Sequence, residues 1–334
     1  MANVFRIIFF SPLAWLYGGI LRLRHRLYDS NRKERFESPV TTVGIGNLEL
    51  GGSGKTPMAD FLISHFSKKL PVAYLSRGYK RISEGFQLAG PTSTVTELGD
   101  EAYQIFSRWK SNLTVAVDSD RKNGILEILR RKPETRLILL DDAMQHLRVK
   151  PTLNILLTPA SRPFFRNYLV PAGSLRDITE AYKKADLVVF TKSAQANDET
   201  LRSLQIIWKQ NQLEPKPLFV SSLVYKTAVN KDGTVLSSNE PVFCVAGLAS
   251  NLLFFEHCLK NFSVKKCLSK PDHYRYLGDF FQTESLAEST VLTTEKDFQK
   301  LLNIAPHPEK IFYLPIEIQI HPEADFLATI EKGI

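Results

Sequence analysis

Cysteine is scarce in this chain: the 334 residues contain three, at positions 244, 258 and 267, and none forms a C-x-x-C pair. That spacing argues against a disulfide framework and against a thiolate metal site, and it favours a reducing compartment. Tandem repeats and low-complexity tracts are also missing, which excludes solenoid and fibrous classes. The length exceeds what one hydrophobic core comfortably fills, so two domains are expected.

A long uninterrupted hydrophobic run is missing too. The uncharged run from Ile7 to Leu21 is shorter than the ~20 residues that cross a bilayer, and Pro12 interrupts it. No small-residue cleavage site follows, which argues against a signal peptide. An aromatic-rich apolar stretch with a basic flank predicts a helix over 1–30 that lies in the membrane interface. The alternative is a helix packed on the protein's own core. The basic flank comprises Arg22, Arg24, His25 and Arg26.

Acidic residues are fewer than basic ones: 35 Asp and Glu against 43 Lys and Arg give a net charge of +8. Such a balance suits anionic partners, namely nucleic acid, an acidic membrane surface or phosphorylated substrates. Part of the positive charge follows the N-terminal apolar stretch, and no recognised nucleic-acid motif is present. We therefore expect a membrane surface and a phosphorylated substrate, and no nucleic acid.

The chain is organised around residues 43–58, VGIGNLELGGSGKTPM. An apolar run typical of a strand leads into a glycine-rich turn, and a helical pattern follows from Thr56. This order predicts a loop that wraps a nucleotide phosphate with its backbone N–H groups. The turn has Glu49 where the usual motif has glycine, and a plain glycine-rich turn before a helix is the alternative. The predicted nucleotide-binding residues are Gly51, Gly52, Ser53, Gly54, Lys55 and Thr56, with Lys55 on the β/γ-phosphates and Thr56 on Mg²⁺.

Strands and helices alternate around and after this loop. Strands are predicted at 40–46, 71–75, 113–117, 136–140, 153–157, 187–190 and 218–224. Helices are predicted at 56–67, from about 99, at 121–131 and within 192–216. This alternation predicts an α/β fold, a P-loop NTPase-like parallel sheet with helices on both faces. Ligands are then expected at the carboxyl ends of the strands.

A domain boundary is expected near 225, which gives a P-loop domain at 31–225 and a smaller C-terminal α/β domain at 226–334. The second domain is predicted to contain strands at 242–245, 291–294 and 311–314. Its predicted helices lie at 251–261, 276–286, 296–303 and 323–332.

Two acidic pairs are candidates for chemistry. Asp141 and Asp142 end a continuous apolar strand, the position of a Walker B aspartate that holds Mg²⁺, although a polar strand end is the alternative. Asp100 and Glu101 follow a long polar loop and could supply the carboxylate that takes a proton from an attacking hydroxyl. They could equally be acidic residues that favour a helix N-terminus.

Further polar residues follow these pairs. Gln145 and His146 lie just beyond the second aspartate, where His146 could orient a phosphate or a substrate or could be structural. Arg176 suits bidentate recognition of a phosphate, and a surface ion pair with Asp177 is the alternative.

Together the motifs resemble the family of tetraacyldisaccharide 4′-kinases, the lipid A 4′-kinases of Gram-negative bacteria. The resemblance rests on their order and spacing along nearly the whole chain, and the Gly46 form of the phosphate loop is the family's own. The motifs are GNLELGGSGKTP (46–57), SRGYKR (76–81), GDE (99–101), DDAMQHLR (141–148), VPAGSLRD (170–177), VFTK (189–192), DHY (272–274) and TTEKD (293–297).

The resemblance implies ATP- and Mg²⁺-dependent phosphorylation of the 4′-hydroxyl of tetraacyldisaccharide 1-phosphate, which gives lipid IVA. It implies Asp100 as the base, paired with His273, and domain closure that brings them together. Thr56, Glu101, Asp141 and Asp142 would surround Mg²⁺. It also implies a peripheral, monotopic location on the cytoplasmic face of the inner membrane. Substrate contacts are expected from Arg77, Tyr79, Gln145, His146, Arg176 and Asp177.

The chain departs from the family pattern at three positions near the site. Ala143-Met144 stands where Gly-Phe is usual, and Asp177 stands where Glu is usual. A membrane-recruited P-loop ATPase that acts as a switch on a protein partner is the main functional alternative. The sequence does not decide the oligomeric state.

Overall fold

The computed structural model describes residues 2–30, 32–248 and 250–334, with backbone only for 2–6 and for 111. The chain divides into two compact units. The first comprises the residues up to Leu223 together with Ile318–Ile334, and the second comprises Val224–Glu317. Each unit is described by itself.

Across the described residues, a nine-stranded sheet forms the centre of the first unit, in the order β15-β10-β9-β8-β2-β6-β3-β5-β4. The strands from β10 to β5 run parallel, and β4 pairs antiparallel with β5. A separate parallel pair joins β1 and β7. The strands are β1 Phe36–Glu37, β2 Thr41–Gly46, β3 Val72–Ser76, β4 Gln87–Leu88, β5 Thr114–Val117, β6 Leu137–Asp141, β7 Val149–Lys150, β8 Leu153–Pro159, β9 Leu187–Ser193, β10 Leu218–Tyr225 and β15 Ile316–His321.

Helices cover both faces of this sheet, as β6 illustrates. Leu137 and Leu139 belong to the core on one face, whereas Ile138 and Leu140 belong to the core on the other. A strand buried on both faces reads as a continuous apolar run, which explains why the parallel sheet was recognisable in the sequence. The helices of the first unit are α1 Ala2–Asp29, α2 Lys55–Phe66, α3 Val95–Leu98, α4 Asp100–Trp109, α5 Arg121–Arg131, α6 Asp198–Gln210 and α10 Glu323–Glu331.

The first helix, α1, continues through Pro12 and presents two different faces. Ala14, Gly18, Leu21 and His25 are buried, at the spacing that places them on one stripe of a helix. Large apolar side chains elsewhere on α1 are exposed, with Trp15 at 79%. The uncharged run to Leu21 was expected to be too short to cross a bilayer, but the helix extends further, and by length and composition alone the segment Ile7–Asp29 is long and apolar enough to cross a membrane.

The last residues correct the predicted domain division. Ile318–Ile334 belongs to the first unit, although 226–334 was predicted to be one domain. The reason is hydrophobic: Ile320, Phe326 and Ile330 are buried in the same core as Val43 and Leu139 of the central sheet. Strand β15 was not predicted, although Ile316, Ile318 and Ile320 alternate with polar residues as a half-buried strand requires.

The second unit contains a four-stranded parallel sheet in the order β12-β11-β13-β14, as far as the structure describes it. The short helix α8 replaces most of the helix predicted at 276–286. Strand β12 was not predicted, because a half-exposed strand with Lys265 and Lys266 does not read as a buried run. The elements are β11 Pro241–Ala246, α7 Leu252–Asn261, β12 Ser263–Ser269, α8 Phe280–Thr283, β13 Thr290–Thr294, α9 Glu295–Leu302 and β14 Ile311–Leu314. The α/β class, the parallel sheet and a second, smaller α/β unit are thus confirmed.

Candidate active site

The glycine-rich loop joins β2 to α2 and has the shape of a phosphate cradle. Gly51 and Gly54 have positive φ angles of 101° and 88°, which glycine adopts without steric cost. The loop is tied to the sheet where the Thr191 hydroxyl donates to the Ser53 carbonyl at 2.8 Å. Because α2 begins at Lys55, its first N–H groups have no acceptor within the helix and are available to bind an anion.

A carboxylate pair stands beside this loop because β6 is the direct neighbour of β2, with Asp141 in register with Ile45. Asp141 ends β6, is 6% exposed, and accepts a hydrogen bond from the Ser76 hydroxyl at 3.2 Å. Burial raises the pKa of Asp141; the positive charge of Lys55 opposes that rise, and the negative charges of Asp142 and Glu101 reinforce it. The pair therefore presents crowded negative charge that a cation would relieve.

Asp142 adopts a positive φ of 55°, and its carboxylate turns toward cationic groups. The guanidinium of Arg176 donates hydrogen bonds to it from both terminal nitrogens, one of them to Oδ2 at 2.8 Å. Lys55 Nζ lies 3.3 Å from Oδ1. Burial alone would raise the pKa of Asp142, but the hydrogen bond from Arg176 and the charge of Lys55 outweigh it and hold that pKa well below its usual range. Asp142 is therefore ionised at neutral pH.

Asp100 and Glu101 are placed by an unusual backbone at Gly99. Its φ of 82° and ψ of 161° lie in a region that essentially only glycine occupies. A Cβ at this position would come within 2.8 Å of the Tyr79 carbonyl oxygen. The start of α4 thus packs directly on the 76–81 loop, and the charge of Glu101 acts on Asp141.

The other predicted substrate residues are placed differently from one another. Arg77 and Tyr79 are exposed on the 76–81 loop. Gln145 donates from Nε2 to the Asn47 carbonyl at 2.8 Å. Burial, with the charge of Arg121, lowers the pKa of His146 from 6.5 to about 4. At neutral pH His146 is therefore an uncharged hydrogen-bonding group and not a cation for a phosphate.

Asp177 requires a correction. It was predicted to contact the substrate, but it is 1% exposed, and its Oδ1 lies 2.7 Å from Nε2 of His25 on α1. A carboxylate that is buried and already paired is not available to a lipid. The departures at Ala143 and Met144 are packing positions, because both are buried and Met144 lies against Gly46.

The second unit brings together two motifs that are separate in the sequence. Lys296 of α9 donates to Asp272 at 2.9 Å, and its Nζ lies 3.3 Å from His273 Nε2. Although burial raises the pKa of Asp272, the hydrogen bond and charge of Lys296 bring it below the ordinary value. His273 and Asp100, predicted to act together, belong to different units.

Several residues near the site in the first unit were not predicted from the sequence. The Asn47 side chain lies 3.4 Å from Lys55 Nζ and also contacts Arg176. Arg121 is 2% exposed and donates to the Asp141 carbonyl at 2.7 Å. Lys192 Nζ lies 3.6 Å from where a Cβ on Gly52 would stand. Asn47 and Lys192 lie within recognised motifs, which was the available signal, whereas Arg121 carried none.

The residues present fit ATP and Mg²⁺. The described part of the chain holds no cluster of three or more His, Cys, Asp or Glu side chains suited to a metal. Mg²⁺ does not require one, because it usually binds one or two carboxylates together with substrate phosphates and water. A buried Asp141 and a half-buried Asp142 next to a phosphate cradle offer that arrangement.

Comparison with known proteins places the whole chain. Residues 6–334 match the LpxK family, described as tetraacyldisaccharide-1-P 4′-kinase. A tetraacyldisaccharide 4′-kinase of Flavobacterium psychrophilum is 35% identical over 92% of this chain and 90% of its own, and one of Cytophaga hutchinsonii is 32% identical over 99% and 97%. The crystal structure of LpxK from Aquifex aeolicus in complex with ATP aligns over 100% of this chain and 99% of its own, with a TM-score of 0.77 and 28% identity. The chain belongs to the tetraacyldisaccharide-1-phosphate 4′-kinase family.

Proposed function

We propose that this protein transfers the γ-phosphoryl group of ATP to the 4′-hydroxyl of tetraacyldisaccharide 1-phosphate, which gives lipid IVA. The observation that carries the proposal is the meeting of the Lys55 loop with the Asp141–Asp142 pair at adjacent strand ends, in a chain that matches the family over residues 6–334. Nucleotide phosphates would lie on Gly51, Gly52, Ser53 and Gly54.

Catalysis in this scheme consists of positioning and charge neutralisation. Lys55 exchanges its contact with Asp142 for the β/γ-phosphates. When bound, Mg²⁺ supplies positive charge at the transferring phosphate, and Thr56, Asp141, Asp142 and Glu101 are the residues that would hold it. Arg176 fixes Asp142 during the exchange, and the positive charge of Arg121, which donates to the Asp141 backbone carbonyl, offsets part of the buried negative charge of the Asp141 carboxylate.

Asp100 is the proposed base. Its place at the N-terminus of α4, adjacent in the chain to Glu101, whose charge acts on Asp141, suits a carboxylate that accepts the proton of the 4′-hydroxyl as phosphoryl transfer proceeds. His273 is proposed to support Asp100 from the second unit; this role is inferred from the family resemblance of the DHY motif. Arg77 and Tyr79, both exposed, are the proposed contacts to the disaccharide.

The deciding experiment follows labelled γ-phosphate from ATP to tetraacyldisaccharide 1-phosphate in detergent micelles. Wild type should label the lipid, and Asp100→Ala should be severely impaired. Hydrolysis of ATP without labelled lipid would instead favour a switch-type ATPase. Equal activity of the two proteins would keep the kinase and reject Asp100 as its base.

Membrane attachment through α1 is part of the proposal. Its exposed apolar side chains include Trp15 and Leu16, and arginines follow on the same helix. That combination suits burial in the headgroup region of an anionic membrane. Because ATP is a cytoplasmic nucleotide, we place the protein on the cytoplasmic face of the inner membrane.

Vesicle flotation tests this attachment. Leu16→Glu should reduce co-flotation with vesicles that contain anionic phospholipid. Ile206→Glu, a matched change at an exposed apolar residue of α6, should not. Equal flotation of both variants and wild type would reject α1 as the anchor.

A further inference from the structure

The helix α1 contacts the active-site loop directly through its inner face. The Tyr17 hydroxyl donates to the Arg176 carbonyl at 3.0 Å, and about two helical turns further along, His25 contacts the Asp177 carboxylate. The same face buries Leu21 in a cluster with Leu48 and Leu175. A helix predicted to bind the membrane therefore also makes hydrogen bonds to the two residues at 176–177.

The donor and acceptor roles of the two ring nitrogens of His25 follow from its neighbours. Lys184 Nζ lies 2.8 Å from His25 Nδ1, and an ammonium group can only donate, so Nδ1 accepts. The ring proton then sits on Nε2 and is donated to Asp177 Oδ1 at 2.7 Å. Asp177 Oδ1 also accepts from the Ile178 backbone N–H at 2.9 Å. With His25 4% exposed and Asp177 1% exposed, this network is shielded from water.

A second contact reaches the other side of the site. Arg24 on α1 donates to the Gln145 carbonyl at 2.8 Å, and the Gln145 side chain donates to the Asn47 carbonyl in the phosphate loop. The helix thus contacts both the 141–148 loop and the 170–177 loop.

These contacts fix the position of Arg176, the residue next to Asp177. The guanidinium of Arg176 binds Asp142 with two nitrogens and contacts the Asn47 side chain. The helix α1 contacts this segment at two points, because Tyr17 binds the backbone carbonyl of Arg176 and His25 binds the side chain of Asp177. Groups that orient a metal ligand, as Arg176 would orient Asp142, commonly affect metal affinity although they never touch the metal.

We propose that α1 is a positioning element of the phosphoryl-transfer site, in which His25 and Tyr17 hold residues 176–177 so that Arg176 keeps Asp142 in place. The role rests on the proposed function, because it requires Asp142 to serve the cation of MgATP. It couples the helix that faces the membrane to the carboxylate that faces the nucleotide. It also gives the short side chain of Asp177 a partner, His25, in place of a substrate.

Four full-length variants test this role: His25→Ala, His25→Gln, Tyr17→Phe and His321→Ala. His25→Gln keeps a donor near the position of Nε2 and should restore the function that His25→Ala loses. Tyr17→Phe removes only the hydroxyl, so it should keep the fold even if His25→Ala unfolds the protein. His321→Ala is the matched control, because it breaks a histidine–aspartate pair at the surface, with Asp198 at 2.9 Å.

Two quantities are measured, each normalised to the concentration of ATP-binding sites, so that a loss of folded protein does not change the result. The first is the Mg²⁺ concentration for half-maximal lipid phosphorylation in micelles. The second is Mn²⁺ affinity, by electron paramagnetic resonance, with a non-hydrolysable ATP analogue. His25→Ala should weaken both by about 10-fold, the low end for groups that orient metal ligands. Tyr17→Phe should weaken both by a smaller factor, and His25→Gln should recover most of the loss.

Unchanged Mg²⁺ and Mn²⁺ dependence in both His25→Ala and Tyr17→Phe would overturn the positioning role. So would a loss in His25→Ala that appears only as weaker vesicle binding, because that result assigns His25 to anchoring. If wild type labels no lipid, the proposed kinase function fails, while the Mn²⁺ comparison still decides whether His25 positions Asp142.

Discussion

Lys55 and Asp142 form an ion pair at the base of the phosphate loop, with Nζ 3.3 Å from Oδ1. Asp142 has a second cationic partner in Arg176, so it stays neutralised when Lys55 leaves it. The lysine can therefore move to a nucleotide phosphate without leaving a half-buried carboxylate unpaired, which would be costly.

Replacing Lys55 by Ala should abolish phosphoryl transfer. A preorganised donor at developing charge contributes roughly 100- to 1,000-fold to rate, and we expect kcat to fall by at least that factor. Lys209→Ala, an exposed lysine of α6, is the control and should keep wild-type kcat. Near-normal transfer by Lys55→Ala, measured with labelled ATP, would refute its phosphate role.

Replacing Asp141 by Asn should stabilise the protein and inactivate it. The raised pKa of Asp141 means that its ionised form is disfavoured in the fold, so removal of the charge relieves a cost at neutral pH. Thermal unfolding should show a higher Tm for Asp141→Asn without Mg²⁺, and a smaller rise in Tm when MgATP is added. A lower Tm together with a full MgATP response would contradict this account of Asp141.

Replacing Asp142 by Asn should instead destabilise the protein. The folded pKa of Asp142 lies below its unfolded value of about 3.8, so its ion pairs stabilise the fold at neutral pH and are lost as the pH falls through the acid range. The variant should have a lower Tm than wild type at pH 7, and the difference should shrink in acid. A constant difference across that range would show that Asp142 contributes by packing and not by charge.

The sequence was sufficient for the part of the site that lies at strand ends. Parallel strands end at one edge, so a loop after β2 and an aspartate pair after β6 were expected to meet, and Asp141 is in register with Ile45. The parallel sheet was recognisable for the same reason, because its strands are buried on both faces.

Long-range pairing was beyond the sequence. The contact of His25 with Asp177 joins residues 152 positions apart and depends on how α1 lies on the 170–177 loop. Apolar and basic residues in α1 predicted the membrane face, but nothing in that pattern marks one histidine as buried. The return of α10 to the first unit depends likewise on tertiary packing of Phe326, which local sequence does not encode.

Gly99→Ala should impair transfer while it spares nucleotide binding. The added Cβ meets the Tyr79 carbonyl oxygen at 2.8 Å, and the backbone region is one that alanine avoids at a cost of about 1–3 kcal/mol. Relief of that strain displaces Asp100 at the start of α4. Since misplacement by about 1 Å can cost ~100-fold in rate, kcat should fall by one to two orders of magnitude.

Gly90→Ala is the control for that experiment, because a Cβ there meets nothing within 4 Å. ATP affinity from calorimetry should match wild type in both variants. Full activity of Gly99→Ala would mean that the start of α4 need not be fixed, and Asp100 would lose its support as the base.

His146→Gln should flatten the dependence of stability on pH in the acid range. The pKa of His146 is lowered from 6.5 to about 4, chiefly by burial, so between these values the unfolded chain binds a proton that the folded protein does not. The free energy of unfolding of wild type must therefore fall as the pH drops from 6.5 toward 4. Glutamine does not titrate, so the variant lacks this component.

The two proteins should differ in the slope of the free energy of unfolding against pH. That difference should be below about 1.4 kcal/mol per pH unit, the value for one full proton, because the ring is partly exposed and screened. Urea unfolding of both proteins from pH 4.5 to 8 measures it, and above pH 7 the two curves should run parallel. Identical slopes below pH 6.5 would place the charged imidazolium in the fold, and His146 would then be available to a phosphate as a cation.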